Sequence, residues 1–337
     1  MNKQRKFQGN KASLFSKSSI LVLAVSSAIF FCGAVCASEQ YPSRPIELLI
    51  PYSAGSGTDL LGRLFGKYAS PIMKQPIVVT NVTGASGGVA AAEIVKAPPD
   101  GYKLLILPIS FRVVISKMQK ITFNPTIIMP IANITEDIQG CIVKSDSPWR
   151  NFNDLIEFAR KNPGKLTWSH AGLGIPPHID MEIALRKANV KSVSIPYKGT
   201  PEALTAVLGG HCMAGSMVFT PIKDQITAGK VRLLVIWRDK RFEGLPNVPD
   251  CSELGFPSAG RFLALFGLYG HKDTPSKTVQ FVWEVCKKVD SNPEFKKDLN
   301  RMGAVSRFMS AEEVNEAIAQ VEAELIPILK ELALYKE

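Results

Sequence analysis

Ile46-Glu47-Leu48-Leu49-Ile50-Pro51-Tyr52-Ser53-Ala54-Gly55-Ser56-Gly57-Thr58-Asp59 is a short apolar run, then a glycine- and hydroxyl-rich turn, then a helix start. The run Ile46–Ile50 has the length and branched character of a buried strand. From Thr58 to Met73, Leu61, Leu64, Phe65, Tyr68 and Ile72 recur at helical spacing. Ser56 or Thr58 can cap that helix, with Asp59 in its first turn. Glycines let backbone approach a ligand closely. The unpaired N–H groups of a helix start attract anions. A dinucleotide fingerprint would need a third glycine where Leu60 stands, so a dehydrogenase loop is disfavoured.

The same strand–loop–helix unit recurs three times. Ile77–Asn81 leads through Val82-Thr83-Gly84-Ala85-Ser86-Gly87-Gly88 into a helix to Lys96. Leu166–Ser169 leads through His170-Ala171-Gly172-Leu173-Gly174-Ile175-Pro176 into a helix over Pro177–Ala188. Val193–Ile195 leads through Pro196-Tyr197-Lys198-Gly199-Thr200 into a helix over Pro201–Leu208, with Thr200 as the expected N-cap and Pro201 at the first helical position. Ser110 and Arg112, just after a third strand at Leu104–Leu107, join the candidate contacts. Two loops from each half, facing one cleft, would suit an elongated, doubly anionic ligand.

Alternating strand and helix signals continue through strands at Ile138–Val143, Met213–Val218, Val231–Ile236 and Leu263–Leu268, and helices at Asn153–Lys161, Ser276–Val289 and Ala311–Leu334. In the last helix Val314, Ile318, Val321, Leu325, Leu329 and Leu332 share one face. This pattern is α/β. Two units joined near 127–135 and again near 258–268 predict two crossings. The division is 38–131 for the first part of domain one, 132–261 for domain two, and 262–337 for the return to domain one.

The chain's 337 residues are 46% hydrophobic and 21% charged, ordinary globular values. Lys3, Arg5, Lys6, Lys11 and Lys17 precede an uncharged stretch over Ser18–Ser38 that ends in Val35-Cys36-Ala37. That is the layout of a secretory signal peptide, residues 1–37, cleaved after Ala37. Phe31 and Val35 are unlike the small residues that precede a lipidated cysteine at Cys32 or Cys36. Forty Lys and Arg face 30 Asp and Glu; losing the five leader bases leaves 35 against 30, a net +5. Acids and bases are interspersed, which argues against nucleic-acid binding. Cys141, Cys212, Cys251 and Cys286 form no C-x-x-C pair, so no metal or cofactor is expected. Export permits disulfides among them without fixing a pairing.

Taken together, these loops make the chain resemble the substrate-binding receptors of tripartite tricarboxylate transporters, the Bug-type receptors. The resemblance spans residues 41–334. It is carried by Tyr41-Pro42-Ser43-Arg44-Pro45, the Pro51–Asp59 loop, Pro99-Asp100-Gly101-Tyr102, Tyr197-Lys198-Gly199, Leu208-Gly209-Gly210, Ala228-Gly229-Lys230-Val231-Arg232 and Leu245-Pro246-Asn247-Val248-Pro249, in that order. It implies a Venus-flytrap fold of the periplasmic-binding-protein type, a small carboxylate ligand, and partnership with a large and a small membrane subunit. A monomeric periplasmic receptor, not an enzyme, is the expectation. The resemblance implies that the first two loops grip one carboxylate and the third and fourth contact the ligand's far end. This chain departs from the family pattern at Ser56, Val82, Thr83, His170, Ile175, Met213 and Arg112, so its ligand is expected to be unusual.

A second reading comes from Gly84-Ala85-Ser86-Gly87-Gly88, which matches the G-x-S-x-G turn of serine hydrolases. His170, His178, His211 and His271 all follow Ser86, but none has an acid partner recognisable in sequence. A third reading, a sensor that partners a signalling kinase, shares the receptor fold.

Overall fold

The computed structural model describes residues 41–115, 118, 121–260, 264–331 and 333. The expected signal peptide and its cleavage site lie outside the described residues. The chain runs through β1 (Ile46–Ile50), α1 (Gly57–Met73), β2 (Ile77–Asn81), α2 (Gly88–Lys96) and β3 (Lys103–Pro108). A π-helical turn, Phe111–Ile115, and β4 (Ile128–Asp137) follow. Next come β5 (Gln139–Lys144), α3 (Phe152–Lys161), β6 (Leu166–His170), α4 (Pro176–Lys187), β7 (Ser192–Pro196), α5 (Thr200–Leu208) and β8 (Ala214–Val218). The rest is α6 (Lys223–Thr227), β9 (Val231–Ile236), β10 (Ala264–His271), α7 (Ser276–Asp290), α8 (Pro293–Met302), β11 (Ala304–Ser310) and α9 (Ala311–Glu331).

Two mixed sheets organise these elements. One has the order β11-β4-β10-β3-β1-β2, the other β7-β6-β8-β5-β9. In the first, β1 pairs in parallel with β2 and β3, while β10 and β4 run antiparallel to their neighbours. In the second, β6 is parallel to β7 and β8. Each group of parallel strands sends its carboxyl ends into helices, and such loops are where open α/β sheets bind ligands.

Helix α1 begins where Ser56 accepts the N–H of Asp59 and buries Leu61, Leu64, Phe65, Ala69 and Met73. Its C-cap Lys74 is left-handed. The segment Ile128–Asp137, within which the sequence suggested a crossing, is a ten-residue strand of the six-stranded sheet. Its polar half, Asn133, Thr135, Glu136 and Asp137, is nonetheless buried, because Asn133 and Thr135 bond to backbone of β11 and Glu136 receives Arg307 at 2.9 Å and pairs with Arg238. The chain passes to the five-stranded sheet at Ile138. Helix α8 and strand β11 had no clear sequence signal; β11 pairs with the buried-polar half of β4.

The apolar face of α9 packs Val314, Ile318, Leu325 and Leu329 into a core cluster that also holds Trp168, Ile179 and Trp237 of the five-stranded layer. Val321 is half-buried at its margin; Leu332 lies outside the described residues. All four cysteines from Cys141 to Cys286 are buried and unpaired.

Candidate ligand-binding site

Loop one follows β1. The first bond within α1 runs from Leu60 N to Ser56 O at 2.9 Å, so the N–H groups of Gly57 and Thr58 precede the helical ladder. Ser56 Oγ receives Asp59 N at 3.3 Å and lies 3.2 Å from the Thr58 hydroxyl. Asp59 is turned inward. Its carboxylate accepts Gly55 N at 2.9 Å, Arg63 Nε at 3.0 Å and Asn81 Nδ2 at 2.9 Å, which ties loop one to β2. Burial raises the pKa of Asp59, but these bonds outweigh it and hold the carboxyl below the usual range. Ala54 sits at the exposed tip.

Loop two is built from four successive positive-φ residues: Gly84 at 132°, Ala85 at 46°, Ser86 at 49° and Gly87 at 101°. Ala85 and Ser86 carry side chains in the left-handed region, a strained arrangement of the kind that gathers at functional sites. The turn brings Ser86 against loop three. A Cβ on Gly172 would lie 2.8 Å from Ser86 Oγ and 3.2 Å from its Cβ.

Loop three rests on two buried imidazoles. With its proton on Nδ1, His170 donates to Gly172 O at 2.8 Å; Gly174 N donates to His178 Nδ1 at 3.2 Å. The rings are 4.4 Å apart and lie against Trp168. Burial pushes His170 down to about 4 and, together with the neighbouring His170, pushes His178 well below the ordinary value. Both are therefore neutral supports beneath the loop. Helix α4 starts with Pro176 and Pro177, so its first two positions offer no N–H. Ile175 is its N-cap and supplies no side-chain bond.

Loop four reaches back across the cleft. Ser53 N donates to Lys198 O at 3.3 Å, and Ser53 Oγ donates to Glu202 Oε2 at 2.7 Å. The N-cap of α5 is Gly199, not Thr200, which becomes the first helical residue with Pro201 second. Glycine is needed there because a Cβ would come within 2.0 Å of Ser53 Oγ.

The four loops enclose a cavity of 540 Å³. Loop one contributes Pro51 and Tyr52, loop two Gly84–Ser86, loop three Ala171–Leu173, and loop four Pro196–Lys198 with Glu202. A smaller, apolar chamber of 30 Å³ adjoins it at Tyr52 and Ala171 and is bounded also by Thr58, Ile175 and Thr200. The Tyr52 hydroxyl is buried without a partner, and burial raises its pKa, so it stays a donor.

The candidates from sequence thus separate into groups. Tyr52, Gly84, Ala85, Ser86, Gly172 and Lys198 line the cavity; Thr58, Ile175 and Thr200 line the inner chamber. Ser53 and Gly199 join the lobes, Gly174 abuts Ile115, and Ser56, Asp59 and His170 brace loops. Arg112 lies elsewhere: its Nη1 donates to Asn315 Oδ1 of α9 at 3.2 Å, and it lines a separate recess with Phe123 and Glu322. The π-helical turn after β3 carries it away from the cleft. Ser110 is buried with an unpartnered hydroxyl and lines neither chamber. Glu202 was missed. An acid in the first turn of a helix whose loop was read as an anion site was the available signal. Among the described residues no group of three or more His, Cys, Asp or Glu could hold a metal, and no helix is long and apolar enough to cross a membrane.

Two mixed α/β sheets and a cleft made of strand-to-helix loops define a solute-binding protein of the Venus-flytrap type. The model of the tripartite tricarboxylate transporter family receptor matches residues 62–334, and the chain belongs to that family. A UPF0065 protein from the gbd 5′ region of Cupriavidus necator is 33% identical over 304 residues, covering 89% of this chain and 90% of that one. The periplasmic binding protein BugD superposes with a TM-score of 0.83 at 26% identity, over 88% of this chain and 100% of its own. An R. palustris protein solved with adipate has the same fold, with a TM-score of 0.83 at 24% identity over 87% of this chain and 98% of its own.

Proposed function

We propose that the chain is an exported receptor that captures a small organic acid in the four-loop cavity and delivers it to the membrane subunits of a tripartite transporter. The observation that carries this reading is convergence: loops from two sheets, distant in sequence, meet around one cavity of 540 Å³. A carboxylate moved out of water needs hydrogen bonds in exchange. The N–H groups at the start of α1, the loop-two backbone at Gly84–Ser86, the Ser86 hydroxyl and Lys198 supply donors. The adipate held by the R. palustris neighbour is the kind of ligand such a cleft suits.

The chemistry around Ser86 favours binding over turnover. On the far side of the cavity, His170 and His178 direct their Nδ1 atoms to backbone groups of their own loop, not to a carboxylate. A thermal-shift screen of aliphatic mono- and dicarboxylates on the exported chain tests the proposal. An acid at 100 times its Kd stabilises by about 2.7 kcal/mol. At least one acid should raise Tm and be recovered unchanged. The reading fails if no acid does so, or if the bound acid is recovered as product.

A further inference from the structure

Lys198 and Glu202 are the charged side chains among the described residues that line the cavity. They do not pair with each other: no ion pair joins them, and Glu202 Oε2 instead accepts the Ser53 hydroxyl at 2.7 Å. That bond uses only part of a carboxylate's acceptor capacity. The rest of the surrounding wall is largely backbone and small or apolar side chains such as Pro51, Ala85, Ala171 and Leu173. Glu202 is half-buried, and a carboxylate fixed on that wall attracts a donor and repels a second anion. The position is also built, since Gly199 lacks the Cβ that would come within 2.0 Å of Ser53 Oγ and 3.1 Å of Glu202 Oε2. The first-lobe side of the cavity has the opposite character, with no charged side chain and with Tyr52 and the loop-two residues Gly84–Ser86 on its wall.

We infer that Glu202 is a specificity-determining residue, and that the ligand is an acid whose far end carries an ammonium group in place of a second carboxylate. This rests on the receptor reading and refines it. With Lys198 and Glu202 both in place, the lining carries no net charge. A zwitterion directs its carboxylate toward the loop-two amides and Lys198, and its ammonium toward Glu202. A dicarboxylate of the same length must set an anion against Glu202.

Calorimetric titration of the full exported chain with matched probes tests this: succinate against β-alanine, glutarate against γ-aminobutyrate, and adipate against δ-aminovalerate. In the best-binding pair the amino acid should bind about tenfold more tightly, the effect of one charge-assisted hydrogen bond. Glu202→Gln, which can still accept from Ser53, should abolish that preference. Ser53→Ala, which keeps the carboxylate but removes the bond across the cleft, should preserve it. A wild-type preference for the dicarboxylate, or a preference unchanged in Glu202→Gln, overturns the inference and leaves the receptor reading standing, because acids still bind. Absence of binding by every probe and by the wider acid panel defeats both.

Discussion

The loops of the six-stranded lobe and those of the five-stranded lobe are built on one plan, yet they offer a ligand different things. Loop one ends in a helix whose first N–H groups stand ahead of the helical ladder, while loop two turns through four residues of positive φ and folds the N–H groups of Gly87, Gly88 and Val89 back onto its own carbonyls at Gly84 and Ala85. Loops three and four end in helices that begin with proline: Pro176-Pro177 in α4 and Pro201 at the second position of α5. The same strand–loop–helix grammar thus yields a donor-rich wall on one side. On the other it yields a wall of shape and side-chain charge. A helix start is an anion site only while its N–H groups are present. Proline removes them without disturbing the fold, since it suits the first turn.

The sharpest way to break this comparison is Gly172→Ala. Gly172 has a φ of 147°, which side-chain-bearing residues rarely adopt, and a Cβ would lie 2.8 Å from Ser86 Oγ and 3.5 Å from Ser86 Cα. Loop three must then move away from loop two. Strained backbone costs about 1–3 kcal/mol, so affinity for the acid identified by thermal shift should fall on the order of 100-fold. Small-angle scattering should also show less compaction with ligand. Normal binding by this variant would mean that the two walls need not meet.

Next in size is the contrast between a backbone donor and a surface cation. Gly57 is the first residue of α1, where proline fits the helix but deletes an N–H. A bond to a charged group contributes about 1.5–3 kcal/mol, so Gly57→Pro should weaken binding roughly tenfold or more. Crowding is controlled by Gly57→Ala, whose Cβ meets the same Asp137 Oδ2 and Val218 Cγ2 at 3.1 Å while keeping the N–H. Lys198 is exposed, and an exposed charge contributes at most about 1 kcal/mol, so Lys198→Ala should cost less than about fivefold. Calorimetry on the three variants, each shown to fold by circular dichroism, gives the ordering. If Lys198→Ala costs more than Gly57→Pro, the donor wall is not the main anion holder.

Much of this division is legible in sequence. The α/β pattern, the four strand-to-helix loops and both proline starts can be read from local composition, because apolar periodicity and turn residues act over a few positions. Sequence is silent where the outcome depends on partners far along the chain. Strand β4 hid its polar half because Asn133 and Thr135 donate to carbonyls of β11, about 170 residues later. Arg112 looked able to enter the cleft, but a π-helical turn directs it to Asn315 of α9. Glu202 went unread in the sequence, because its place opposite Ser53 exists only when both lobes are assembled. His170, placed in loop three by the sequence, is buried beneath that loop and serves as a support.

The smallest effect on ligand affinity, and the subtlest test of the two walls, lies in their buried titratable groups. His170 and His178 in the five-stranded lobe are held neutral, His170 at about 4 against about 6.5 when exposed. As pH falls from 6.5 to 4 the unfolded chain takes up protons that these rings refuse, so their contribution makes stability fall on acidification. Asp137, at the end of β4 beside Gly57, is pushed up to about 7 by burial, although bonds from the backbone N–H of Thr220 and nearby amides partly offset this. Between its ordinary value near 4 and about 7 the folded chain keeps a proton that the unfolded chain has lost. Its contribution therefore makes stability fall as pH rises, opposite in sign to the histidines. The two partly cancel across pH 4–6.5. Asp137→Asn removes one side and keeps an acceptor for Thr220 N, which bonds the carboxylate at 3.2 Å. Denaturant unfolding at half-unit pH steps should then show stability climbing more steeply with pH from 4 to 6.5 in Asp137→Asn than in the parent chain. A slope that is unchanged or shallower would mean that Asp137 is already ionised in the folded protein, with a full negative charge standing beside the start of α1. The donor wall would then be meeting an anion of its own before any ligand arrives.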